Sequence, residues 1–328
     1  MWLIPFALEH PWAVSPEFMP VVAEILARHA AGERLSEAEI EARIGDKRRA
    51  AEREPERSGA VAVVPLFGLV FPRANLMSAV SGATTAEGVG RQLRALAADD
   101  DVGSIVLDIN SPGGQVAGIT ELAAVVREVR AQKPVIAVAH HLAASAAYWI
   151  ASQATELVAT PSAQVGAVGV YTMHEDLSKA LEQQGIKRTI IAAGKHKVEA
   201  SEIEPLSDEA RAAIQARVDH VYGLFVKDIA KGRGVPVADV RNGFGEGRTV
   251  HAELAVRERM ADRVATFDAV VAELVAGKWR EPSRGASASD DSVPELRADA
   301  PTVGDPPLDD TDLRRRRARL AAATATHG

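Results

Sequence analysis

An α/β fold, a parallel sheet covered by helices, is what the 328-residue chain predicts, and three observations predict it. Short apolar, β-branched runs at residues 104–109 (SIVLDI) and 135–138 (VIAV) are dense enough in hydrophobic side chains to be buried on both faces. Between and beyond them lie segments of helical period, with Val89, Leu93 and Leu96 on one face and a further helix over residues 119–129. Proline and glycine turns separate the two kinds of segment, and strand, turn, helix in alternation is the pattern of parallel crossovers.

Taken in order, residues 17–45 carry apolar positions at helical spacing (Val21, Val22, Ile25, Leu26, then Leu35, Ile40, Ile44), with Ser36 and Glu39 set as a capping box. The charged piece 46–59 has no apolar face and contains Pro55, so it reads as a solvated linker, and the folded body is expected from about Ala60. Residues 61–70 read as a strand broken by Pro65 and Gly68, and Thr85 opens a helix. The turn 110–118 (NSPGGQVAG) follows the 104–109 strand. From Ala143 a small-residue helix runs without a breaker, which puts Ser145 in its first turns. After it come residues 155–160 (TELVAT) and 161–170 (PSAQVGAVGV), then 176–185, an amphipathic helix ending on glycine, and 187–193 (KRTIIAA), which reads as a strand before the polar loop 194–201. One long helix covers about 205–232, capped by Ser207, with Ile214, Val218, Val221, Tyr222, Phe225 and Ile229 as its buried stripe. A small α/β unit closes the body by about Val275. Beyond Lys278 the hydrophobic content collapses, disorder is expected, and Arg314–Arg317 form a basic cluster that reads as a solvated tail or a docking tag.

The totals narrow the function. A formal net charge of −7 leaves no basic face for general nucleic-acid binding. The absence of cysteine excludes disulfides, thiolate metal sites and a cysteine nucleophile. The N-terminal apolar run has no basic residues before it and is interrupted by Pro5, Glu9, His10 and Pro11, so it does not read as a signal peptide. No uncharged run reaches the roughly 18 residues needed to span a bilayer. A cytoplasmic protein without a membrane anchor is expected.

Chemistry concentrates where the predicted strands end. Ser145, near a helix N-terminus, is a plausible nucleophile, with an N-cap or small packing residue as the plainer reading. Gly113 and Gly114 follow a buried strand, where backbone N–H groups can face a ligand without side-chain obstruction. Both places fall at carboxyl ends of neighbouring strands, the ligand side of an open α/β sheet. For the base, residue chemistry leaves two candidates open: Lys197 in the 194–201 loop, and His174 with Asp176 close by. His140 and His141, on the strand-to-helix turn, read as structural or substrate-lining.

The runs SIVLDINSPGGQVAG, PVIAVAHHLAASAAYWIAS and QVGAVGV, in that order, resemble the signal peptide peptidase A family of serine peptidases, and within it the phage and prophage capsid maturation proteases. The resemblance covers about residues 61–270 and implies the ClpP/crotonase-like fold of repeated β-β-α units. It further implies Ser145 as nucleophile, Lys197 of Gly194-Lys195-His196-Lys197 as general base, and Gly114 beside Gly113, with the N–H of Ala146, as the oxyanion hole. The continuation VEASEIE departs from the family's lysine loop and leaves Lys195 to be distinguished from Lys197.

The expectation is then an N-terminal helical segment and linker (1–59), a serine peptidase domain (60–278) and a disordered tail (279–328). A Ser-Lys endopeptidase that needs no metal or other cofactor would act on protein substrates, scaffold or capsid proteins by resemblance, as a homo-oligomer. Two rivals are a cytoplasmic peptidase that degrades signal peptides and an inert assembly protein that keeps the fold.

Overall fold

In the computed structural model the described residues are 12–14, 56–73 and 84–282. The helices expected over 17–45 and the tail beyond 282, with its arginine cluster, lie outside them.

Three long strands carry the sheet: β3 (Val61–Phe71), β5 (Ser104–Gln115) and β6 (Val135–Ala144), parallel and adjacent. Strand β7 (Glu156–Ala159) extends it beside β6, β10 (Arg263–Val264) pairs with β7, and β2 (Glu56–Ser58) closes the far edge antiparallel to β3. The full order is β10-β7-β6-β5-β3-β2. Off this path, β4 (Thr84–Thr85) pairs with β3, β8 (Gln164–Gly166) with the end of β6, and β9 (Thr249–His251) with β8. Strand β1 (Trp12–Val14) pairs antiparallel with the end of β5.

Alternation along the central strands divides the core between two faces, as the period of a strand requires. Ile105, Leu107 and Ile109 of β5 and Val135, Ala137 and Ala139 of β6 enter the larger cluster. That cluster includes Val89 and Leu93 of α1 (Ala86–Ala98) and Leu122, Val126 and Val129 of α2 (Ile119–Arg130). Val106, Ile136, Val138 and Val158 point the other way, onto Val270 of α8 (Phe267–Val275). Helix α3 (Ala146–Ala151) is wholly buried. Its Trp149 stacks on Phe225 at 4.4 Å and donates its indole N–H to Asp228 at 2.9 Å, both on α5 (Asp208–Arg233). The remaining helices are α4 (Ser178–Gln183), α6 (Val237–Asn242) and α7 (Ala252–Arg257).

Several boundaries differ from the sequence expectation, each for a physical reason. Glu56–Ser58, assigned to the linker, is an edge strand whose hairpin turns at Gly59 and Ala60. Trp12–Val14, assigned to the N-terminal helical segment, is a strand whose partners are about a hundred residues away in the chain. The Pro-Gly-Gly stretch does not turn the chain but continues β5 to Gln115, and the strand before Ser145 runs to Ala144. Residues 187–193 pair with no strand and are all exposed, Ile191 by 95%, because no free edge of this sheet reaches them. On α5 the stripe is buried from Phe225 onward, whereas Ile214, Val218, Val221 and Tyr222 are half-buried.

Candidate active site

Ser145 sits between β6 and α3, at the N-cap of the helix but without a capping hydrogen bond. Its backbone is at φ 54°, ψ −118°, a conformation that costs a non-glycine residue about 1–3 kcal/mol and is kept only where the surroundings impose it. They do so by hydrogen bonds on both sides. The Ser145 N–H donates to the Gly166 carbonyl at 2.7 Å, and its carbonyl accepts the Trp149 N–H at 2.8 Å. The residue is 1% exposed, and Oγ has only a long contact, 3.5 Å, to the Gly169 carbonyl. A sharp, strained strand-to-helix junction of this kind presents a hydroxyl above the sheet, as nucleophile elbows do.

The glycine pair lies against it. Gly113 has φ 103°, and a β-carbon there would collide with the Ala13 carbonyl and stand 3.0 Å from both the Ala144 carbonyl and the Ala146 N. At Gly114 a β-carbon would collide with the Val70 carbonyl. Only glycine permits β5 to run this close to β3 on one side and to the Ser145 junction on the other. The Gly113 N–H is engaged by Ser111 Oγ at 3.2 Å, and that hydroxyl donates to the Gly68 carbonyl at 2.6 Å. Ser111 thereby ties the glycine end of β5 to Gly68, and of the three residues expected to form an oxyanion hole Gly114 and Ala146 are the ones whose N–H groups are not taken by Ser111.

The expected bases are placed less closely. Lys197 is exposed, and among the described residues its ammonium has neither a hydrogen bond nor an ion pair. It is not hydrogen-bonded to Ser145. Lys195 differs from it in having a partner: its ammonium is paired with Glu209 at 2.8 Å. His196 pairs with Glu199, and that hydrogen bond holds the imidazole pKa above its ordinary value. Ligand atoms of His196, Glu199 and Glu209 lie within 4.8 Å of one another, but the ion pairs just described account for their proximity. His174 faces the Ser201 carbonyl at 3.4 Å, and Asp176 accepts the Ser178 N–H at 2.9 Å, with the Ser178 hydrogen bonds holding its carboxyl below the usual range. Neither is hydrogen-bonded to Ser145. His140 packs between His141 and Phe267 and faces Asp108 at 3.1 Å, on the other side of the sheet's end.

Tyr171 is a residue the sequence did not mark. Its backbone exchanges hydrogen bonds with Trp12 at 2.9 and 3.1 Å, and its hydroxyl is buried with no partner among the described residues. Burial pushes its pKa up to about 12. The folded protein thus holds this proton more tightly than the unfolded chain, and the contribution to stability is complete below pH ~10 and lost as pH rises toward 12. Tyr171→Phe is expected to leave stability unchanged or raise it by about 1 kcal/mol, since an unmade hydrogen bond is removed. Urea melts of both proteins between pH 8 and 12 check this: the wild type should lose stability above pH ~10 that the variant keeps.

At this junction a buried serine on a strained backbone lies beside a glycine strand and the N–H of the following residue. Residues 127–281 match Peptidase family S49. Capsid assembly protease C of Escherichia phage lambda is 33% identical over 211 residues, which cover 64% of this chain and 48% of that protein. Head-tail preconnector protein GP5 of Enterobacteria phage P21 is 35% identical over 177 residues, 54% of this chain and 35% of its own length. Protease 4 of Salmonella typhi is 27% identical over 219 residues, 66% of this chain and 34% of its own. The chain thus spans half or less of the length of these relatives. No described helix is long and apolar enough to cross a membrane.

Proposed function

We propose that the protein is a serine endopeptidase of capsid maturation, cutting scaffold or capsid proteins, with Ser145 as nucleophile and Lys197 as general base. The observation that carries this reading is the Ser145 junction itself: a strained, buried hydroxyl beside Gly113, Gly114 and the Ala146 N–H. Neutral Lys197 takes the Ser145 proton as Oγ attacks the peptide carbonyl. The Gly114 and Ala146 N–H groups receive the oxyanion, and the protonated lysine returns its proton to the leaving amine. Water, deprotonated by the same lysine, then releases the acyl group. A solvated lysine is almost wholly protonated at neutral pH, so the ammonium has to be drawn out of water before it can act. Lys197 lies on an exposed arm formed by α4 and residues 184–204, which also exposes Ile186, Ile190, Ile191 and Val198. Burial of those side chains against a second copy would desolvate the arm and bring its lysine to the neighbour's Ser145, so the working enzyme is an oligomer. The phage proteins among the relatives support the choice of substrate class. Co-expression with phage scaffold and capsid proteins, followed by intact-mass analysis, tests the reading. The wild type should trim one of them and Ser145→Ala should trim none; unprocessed partners in both cases would favour the inert assembly protein.

A further inference from the structure

Strand β1 lies where a substrate would have to lie. Strands β5 and β6 stay paired only as far as Ser111 and Ala143; beyond that β6 swings into the Ser145 junction, and β5 continues alone on that side. The vacated edge, residues 113–115, is filled by Trp12–Val14 in antiparallel register, Ala13 opposite Gly114. On its other side β1 is held by Tyr171 through both Trp12 backbone hydrogen bonds. Alternation along the strand then turns the N–H and carbonyl of Ala13 toward β5. The Ala13 carbonyl oxygen and the Ala146 N lie 2.1 and 3.0 Å from the same point, the one a β-carbon on Gly113 would occupy. A peptide carbonyl of the chain itself therefore lies close to the candidate oxyanion donors, next to the Ser145 junction.

We propose that β1 is an internal pseudo-substrate. The groove between residues 113–115 and Tyr171 binds extended peptides by adding them as an antiparallel strand, and the chain's own N-terminal segment occupies it until a substrate displaces it. Ala13 is completely buried, so the position opposite Gly114 selects a small side chain, and the substrate class is an extended segment with alanine or a similarly small residue there. This inference rests on the assignment of Ser145 as nucleophile for its meaning, but the groove can be tested without catalysis.

The probe is a fluorescein-labelled peptide of residues 8–18, read by anisotropy against the full-length chain and a chain lacking residues 1–15. Displacement of an internal competitor lowers apparent affinity by the fraction of time the groove is free, so the shortened chain should bind at least about tenfold more tightly. If the shortened chain does not fold, Ala13→Asp in the full-length chain replaces it, because a carboxylate cannot remain in that buried position and the strand is expelled. Equal binding to both chains, or no binding to a folded chain whose groove has been opened, overturns the proposal. Reaction with a fluorophosphonate separates the two readings. Attachment at Ser145 that abolishes peptide binding supports both. A difference in peptide binding with Ser145 unmodified supports the groove and removes the serine from the mechanism.

Discussion

Ser145→Ala and Lys197→Ala should each silence the protein alone, and an equimolar mixture of the two inactive chains should recover activity. Loss of the nucleophile costs roughly 10⁴- to 10⁶-fold in turnover, and loss of the general base about 10²- to 10⁴-fold. Recovery follows from where the two side chains are. Ser145 is buried at the end of β6, Lys197 stands in solvent on the arm, and the two share no hydrogen bond within one chain. If the arm of one copy serves the serine of the next, random mixing gives about a quarter of the sites an intact serine from one chain and an intact lysine from the other. Cleavage of a processed partner, measured for each chain and for the mixture, reads this directly. A mixture as inactive as its components would place the dyad within a single chain. Lys195→Ala is the control, expected to retain activity because its ammonium is already bound to Glu209.

Asp262→Ala should unfold the protein more readily than any change at the surface. Arg233, at the end of α5, is 2% exposed in its side chain and makes two parallel hydrogen bonds to Asp262, at 2.8 and 2.7 Å. Its third donor goes to the Arg259 carbonyl at 3.0 Å, and Asp262 also accepts the Leu157 N–H at 2.7 Å. Truncation of Asp262 leaves a guanidinium in the interior without its counter-charge and an orphaned amide on β7, which costs about 3–5 kcal/mol. Against a total stability on the order of 5–15 kcal/mol, such a loss is a large share of the whole. A urea midpoint lowered accordingly, with the slope unchanged, is the expected result. Arg94→Ala, which breaks the exposed pair with Glu128, should cost less than about 1 kcal/mol in the same measurement.

The central sheet was legible because its signals are local. The apolar runs 104–109 and 135–138 needed only their own composition to read as strands buried on both faces, and the helical periods of α1 and α2 were equally self-contained. What escaped depends on distant partners. Three residues at 12–14 carry no period, and they are a strand only because Gly113–Gln115 and Tyr171 accept them. Conversely KRTIIAA has the composition of a strand, but strand propensity without a free edge leaves the segment unpaired and exposed. At the site, residue types and their order marked Ser145, Gly113 and Gly114, the resemblance added Ala146, and the fold sets Gly113 against the Ala146 N at the Ser145 junction. The sequence could not indicate that Ser145 has a positive φ, that Ser111 takes the Gly113 N–H, or that Lys197 is exposed and not hydrogen-bonded to Ser145, since each depends on how chain segments meet in space.

The backbone at position 145 also bears on what a side chain costs there. A glycine would adopt φ 54°, ψ −118° without the steric cost that serine carries, and it would fit a helix start where the side chain makes no cap. Serine at this position therefore carries a backbone cost of about 1–3 kcal/mol that its single long contact to the Gly169 carbonyl does not offset. Folding alone gives no return for that cost, which agrees with the catalytic role proposed for the hydroxyl.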